Sequence, residues 1–141
     1  MYTLSDRRAI DMIEENGELI VVISDLNSDN FIEFPVDRWK SFLLLQADID
    51  DAVRQIENTR HFKYLRPFGD GWHVSVRRCF LYVDIRRYDS MNKPTNQGLT
   101  LSIAEWKTLL KRIPFLVSIE QIFSPHVREH LENNNDVDQV Y

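Results

Sequence analysis

Ile32-Glu33-Phe34-Pro35 leads to Trp39-Lys40, and sixty-seven residues later Leu99-Thr100-Leu101-Ser102 leads to Trp106-Lys107. In both stretches a short alternating apolar run passes straight into a segment with helical apolar spacing that opens near a tryptophan. Alternation puts successive side chains on opposite faces of a strand, whereas steps of about three and four residues put them on one face of a helix. The repetition extends upstream: Ile10-Asp11-Met12 matches Val74-Ser75-Val76, and residues 19–23 match residues 81–85. Two copies are too few for a solenoid. They predict one polypeptide that builds an intramolecular pseudo-dimer, each half supplying what a second subunit supplies in a symmetric dimer.

The elements follow from the same pattern. Residues 9–13 alternate, Glu15-Asn16-Gly17-Glu18 is a hairpin signal, and residues 19–24 are rich in β-formers. A turn at 25–30 precedes a strand at 31–34, and residues 36 to 58 read as one long helix with Trp39, Phe42, Leu43, Ile49, Val53 and Ile56 on its buried face. In the second half, residues 73–77 and 80–86 alternate, 89–97 is a loop and 99–101 a strand. Ser102 is a natural N-cap and Glu105, three residues on, completes a capping box. Ile103, Trp106, Leu109, Leu110 and Ile113 line the helix that follows. The second hairpin is two residues shorter than the first, and the loop before Leu99 is five residues longer. Pro114 is expected to break or kink the second helix. Ser124-Pro125 is expected to start a short C-terminal helix, and residues 133–141 to be a disordered acidic tail.

At 141 residues the chain suits one domain or two small interlocked ones. Each half, at roughly 60–65 residues, is marginal alone because it buries so little surface. The net charge of −5 is uneven: residues 1–60 carry −7, residues 61–113 carry +6, and residues 114–141 carry −4. Such asymmetry predicts either a charged partner for the middle segment or mutual attraction between the halves. A single cysteine, Cys79, excludes an internal disulfide and fits a reducing compartment. The opening residues have no apolar signal core, and no apolar run approaches the ~18 residues of a membrane span. The expectation is a soluble intracellular protein that does not engage membranes.

Val74-Ser75-Val76-Arg77, then Val83-Asp84-Ile85-Arg86-Arg87-Tyr88, Lys93-Pro94, Gly98-Leu99-Thr100-Leu101 and Trp106 resemble the C-terminal domain of the transcriptional coactivator positive cofactor four. In the first half, Ala47-Asp48-Ile49-Asp50-Asp51-Ala52-Val53-Arg54 is similar to that family's helix ending, and residues 1–24 lie on its first three strands without a gap. The resemblance implies an α+β fold of two tandem ββββα units, with antiparallel sheets and long helices packed across a pseudo-dyad, as in whirly-type proteins. The units would span residues 1–59 and 60–123, followed by a short helix and tail at 124–141. It also implies single-stranded nucleic-acid binding, a role in transcription regulation, a nuclear location, and partners in the transcription machinery.

The residues that carry such chemistry are concentrated in the second half. Arg77, Arg78, Arg86, Arg87 and Lys93 supply positive charge, and each neutralised phosphate releases counterion. Arg86 and Lys93 match positions the family uses on DNA. Trp72, Tyr88, Phe80 and Tyr82 are interleaved with them, and aromatic faces stack on unpaired bases. A solvated basic edge that discourages aggregation is the alternative for the arginines, and a core role the alternative for Phe80 and Tyr82. Several positions depart from the family pattern: Asp89 replaces an aromatic, the loop at 90–97 is shorter and less basic, and Ser24 replaces an arginine. Glu14, Glu15 and Glu18 occupy the first hairpin, leaving Arg7 and Arg8 as the phosphate contacts of the first half. That half is expected to act as a scaffold or a protein-binding surface.

Catalytic signals are weak. Asp48, Asp50 and Asp51 point in different directions around a helix, His126 and His130 lack a third ligand, and Cys79 lacks a base. No glycine loop cradles a phosphate. The expectation is a non-enzyme without cofactor or metal, a pseudo-dimeric monomer open to higher assembly. The alternative is a protein–protein interaction module on the same fold.

Overall fold

Asn16 (φ 53°) and Gly17 (φ 78°) both take the left-handed conformation, and Asp70 (φ 55°) and Gly71 (φ 83°) do the same. Each pair closes a two-residue hairpin whose twist matches its strands. In the computed structural model, which describes residues 1–58, 62–78 and 82–123 and side chains as far as Pro114, these turns sit in two separate sheets. The first sheet comprises β1 (Tyr2–Thr3), β2 (Arg8–Glu15), β3 (Glu18–Asp25) and β4 (Phe31–Pro35). Helices α1 (Val36–Leu43) and α2 (Gln46–Ile56) follow. The second sheet comprises β5 (Lys63–Gly69), β6 (Trp72–Arg77), β7 (Tyr82–Tyr88) and β8 (Pro94–Ser102), and α3 (Ile103–Phe123) follows it. Both sheets are antiparallel with strands in sequence order, so among the described residues the architecture is α+β.

The two sheets share one register. Ile10 pairs with Ile23 and Ile23 with Ile32; Val74 pairs with Ile85 and Ile85 with Leu99. These are the positions that match in sequence. The two-residue deletion therefore falls in the β6–β7 connection and the five-residue insertion in the β7–β8 connection, and neither disturbs which side chains face the core. Strand β5 was not evident from residue patterning, because Pro67 and an irregularity between Pro67 and Gly69 interrupt its alternation. That irregularity leaves Phe68 outside the ladder and inside the core.

One core joins the halves. Phe34, Trp39 and Phe42 from the first half meet Phe68, Trp72 and Trp106 from the second: Phe34 stacks on Phe68 at 6.0 Å and Phe42 meets Trp106 edge-to-face at 6.3 Å. Trp39 and Trp106 are fully buried. Helix α1 packs on β3 and β4 and reaches β5, α2 lies against β5 and β6, and α3 packs on β7 and β8 and reaches β3. Each helical segment thus covers part of the opposite sheet. Phe42 of α1 and Trp106 of α3 are in ring contact, but the long helices expected to pack on each other pack instead on the sheets.

Three expectations are corrected. The helix expected over residues 36–58 is two helices, because the Leu45 N–H bonds back to Phe42 O rather than to residue 41 and tightens one turn. Leu44 is thrown outward at that point, 84% exposed, while α2 is re-aimed at the second sheet. The loop expected at 89–97 is a five-residue turn, and β8 begins at Pro94. Asp89 closes the turn by accepting from the Met91 and Lys93 N–H groups at 2.8 and 3.0 Å. Pro114 does not end α3, which continues to Phe123. The tail, the helix expected after Ser124, Cys79, Phe80, His126 and His130 lie outside the described residues.

Candidate nucleic-acid interface

Alternation along β6 and β7 decides which side chains share the outer face of the second sheet. Val74, Val76, Val83 and Ile85 are buried, so His73, Ser75, Arg77, Tyr82, Asp84, Arg86 and Tyr88 project from the other side. All of these projecting residues except His73 rim a concavity of about 240 Å³, completed by Pro94 and Thr100 of β8. The cross-strand ladder places Arg77 between Lys63 and Tyr82, Ser75 beside Asp84, and His73 beside Arg86.

The two arginines of this face differ. Arg77 Nε is buried with no hydrogen-bond partner among the described residues. Its cross-strand neighbour is another cation, Lys63, and like charges in register repel. Arg78 is exposed just beyond it. Arg86 is instead committed to the fold: Nε and Nη2 donate to the two Asp84 oxygens at 3.2 and 3.1 Å, and Nη1 donates to Thr95 O at 2.8 Å. Its guanidinium lies over Gly98, where an added Cβ would meet Ile85 O at 2.7 Å and Arg86 Cζ at 2.9 Å. Only glycine permits that approach. At the far end, the Tyr88 ring packs on His73 at 4.3 Å. Lys93 stands exposed on the Asp89 turn.

The remaining candidates fall elsewhere. Trp72 faces the core, against Phe34 and Phe68 and beneath the Arg38 guanidinium, which lies 5.4 Å from its ring centroid. It is not a stacking platform on the outer face, because strand parity pairs it with the buried row. Arg87, its ladder partner, shares that parity but lies at the strand end, exposed, with Nη1 donating to Gln97 Oε1 at 3.4 Å. Arg8 is not a free phosphate contact. It is buried, paired with Asp25 at 3.1 Å, and its Nε donates to Thr100 O at 3.2 Å. Arg7 is exposed on the β1–β2 turn of the first sheet and is not among the residues lining the concavity. The residues missed by sequence reasoning are Lys63, His73, Ser75 and Thr100; the alternation of β6 and β7 carried the signal for His73 and Ser75.

Arg8 also ties the halves together. Asn30 Nδ2 donates to Gly98 O at 3.1 Å, and the Ser5 hydroxyl donates to Glu105. The Asn30–Gly98 and Arg8–Thr100 bonds engage two backbone carbonyls of the edge strand β8, whose free groups are otherwise an open template for pairing. The Asn27 N–H, the Ser28 hydroxyl, and the nearby Arg8 and Arg7 charges hold the Asp25 carboxyl below its ordinary value. The outer face of the first sheet is different in kind. Ile13 and the half-exposed Phe31 stand there with Asp11 and Glu33, and no arginine interrupts them.

Among the described residues no group of His, Cys, Asp and Glu side chains could hold a metal ion, and no helix is long and apolar enough to cross a membrane. No family model, curated protein or solved structure matches the chain.

Proposed function

We propose that the chain is a tandem, single-chain form of the positive-cofactor-four plan, an intramolecular pseudo-dimer that binds single-stranded DNA or RNA on the outer face of its second sheet. It acts without catalysis, in transcription or in handling exposed strands, and its expected location is the nucleus. The shared register, the continuous aromatic core and the reciprocal packing of helices on sheets support the tandem plan. The observation that carries the binding reading is Arg77: a half-buried guanidinium whose Nε has no partner among the described residues, beside a second cation, at the rim of a concavity that also holds Tyr82 and Tyr88. Phosphate relieves the repulsion between the two cations, while tyrosine faces accept bases of any sequence.

The test is titration of the full chain with a labelled oligothymidylate over a salt series. Affinity should fall linearly with salt on logarithmic axes, and Arg77→Ala should weaken it. Absence of binding at low salt would overturn the proposal. The acidic, apolar outer face of the first sheet would then favour a protein-interaction module.

A further inference from the structure

The two junctions between the halves are built at equivalent positions and end up different. Because Ile10 corresponds to Val74 and Ile23 to Ile85, the ladder pair Arg8–Asp25 corresponds to Trp72–Arg87. At the first pair the cation turns in, binds Asp25 and reaches Thr100 O, so the junction is filled. At the second pair Trp72 packs into the core while Arg87, on the same face at the strand end, stays exposed, and the space between β4 and the end of β7 stays open. It forms a groove of about 630 Å³ with Phe31, Trp72, Arg87, Asn96 and Gln97 among its walls.

This groove is continuous with the outer face of the second sheet. A depression at the end of β7 includes Tyr88, which also borders the sheet-face concavity, and Asp70, Arg87 and Gln97, which also border the groove. The adjacent residues Arg87 and Tyr88 point to opposite sides of β7, so the path passes around the strand end. Along it lie an aromatic ring, a cation, two amide side chains and a second aromatic ring that is 52% exposed, Phe31. That is the composition of a single-strand channel: charge for the backbone, flat apolar faces for bases, and amides for base edges. Two acids line the depression: Asp70 is engaged by Arg38 at 3.2 Å, and Asp89 accepts from the Met91 and Lys93 N–H groups. Glu33, beside Phe31, keeps phosphate away from that end and leaves it to a base.

We infer that a bound single strand continues from the second sheet around the end of β7 into the groove between the halves, where Arg87 takes a phosphate and Phe31 of the first half takes a base. The inference rests on the function proposed above. It assigns a nucleic-acid contact to a half whose charge alone argues against one.

The experiment uses the full chain and a labelled mixed-sequence single strand of about sixteen nucleotides, on the scale of the longer single-strand sites. Phe31→Ala should weaken binding about ten-fold, the scale of one lost base stack. Phe31→Tyr, which keeps the ring, should bind like the parent. Ile13→Ala, on the same sheet but outside the groove, should also bind like the parent. Equal binding by parent and Phe31→Ala, with Arg77→Ala still weakened, would overturn the path while leaving the sheet-face site standing. A Phe31→Tyr variant as weak as Phe31→Ala would also overturn it. Failure of the parent to bind any single strand would remove the underlying function instead.

Discussion

Arg38 and Glu105 hold the same position, two residues into matching helices, and each reaches across to the other half. Arg38 of α1 donates to Asp70 in the β5–β6 turn at 3.2 Å, and Glu105 of α3 accepts from Ser5 in the β1–β2 turn. One helix reaches the opposite half through an ion pair, the other through a hydroxyl–carboxylate hydrogen bond. Glu105 carries a second duty: its other oxygen accepts from the Ser102 N–H at 2.7 Å, and its own N–H donates to Ser102 Oγ at 3.1 Å. Asp70 is largely exposed, and exposed ion pairs contribute little. Glu105→Ala should therefore cost about 1–2 kcal/mol through loss of the cap, and Asp70→Ala less than about 1 kcal/mol. Urea unfolding of the two variants checks the order.

Trp39→Ala and Trp106→Ala should each cost about 3–5 kcal/mol, the range for removing a large buried ring. Both indole N–H groups are buried with no acceptor among the described residues. Phenylalanine at either position should therefore recover most of the loss, since it keeps apolar volume and removes an unsatisfied donor. Chemical denaturation of the four variants decides this; a phenylalanine variant as weak as the alanine one would mean that the indole nitrogens are in fact bonded.

Gly98→Ala should destabilise the fold by about 1–3 kcal/mol, the usual scale for forcing extra volume into a packed site. The added methyl would press on Ile85 O and on Arg86, both backbone and guanidinium. A crystal structure of the variant should show Arg86 displaced from Asp84. An unchanged melting temperature would mean that β8 can shift without cost.

If the second sheet binds the strand, Arg77→Ala combined with Arg87→Ala should weaken binding across all sequences and flatten the salt dependence by up to about two phosphate equivalents. Arg7→Ala should have a smaller effect. Equal losses from the two sets, measured by anisotropy titration, would make the interface symmetric.

Asp25 supplies the pH dependence. Its carboxyl is held below the ordinary aspartate value of 3.8, first by the Asn27 N–H, then by the Ser28 hydroxyl and the neighbouring arginines. A depressed folded-state value means that the ionised form is favoured by folding. The stabilisation is complete above the unfolded value and is lost as pH falls through the lower folded one. Asp25→Asn should therefore be less stable than the parent near neutrality, with the gap closing below about pH 4. Thermal unfolding at neutral and acid pH measures it; a gap that persists in acid would assign the loss to packing.

The sequence was most informative where the deciding interactions are local. Asn16-Gly17 specifies its hairpin, Ser102 and Glu105 specify their cap three residues apart, and the alternation around Ile10, Ile23, Val74 and Ile85 specifies the register. It was least informative where the partner is remote. Arg8 looks like a free cation until Asp25 and Thr100 are brought to it, the latter from ninety-two residues away. Trp72 looks like a stacking ring until Phe34 and Phe68 close over it. The division of labour between Arg77 and Arg86 was half legible: Asp84 lies two residues before Arg86 on the same strand face, whereas the proximity of Lys63 to Arg77 depends on pairing with a strand that patterning did not reveal. The helix break at Leu45 escaped notice because the apolar spacing on either side of it stays in phase.

In a homodimer every side chain appears twice, once on each side of the axis, so no junction can be closed without closing its twin. Here Arg8 and Asp25 seal one junction while Trp72 and Arg87 leave the other open. The molecule consequently has a head and a tail. If a single strand binds across both halves, it meets different groups in the 5′-to-3′ sense than in the reverse, a distinction that a two-fold assembly cannot draw for a strand crossing its axis.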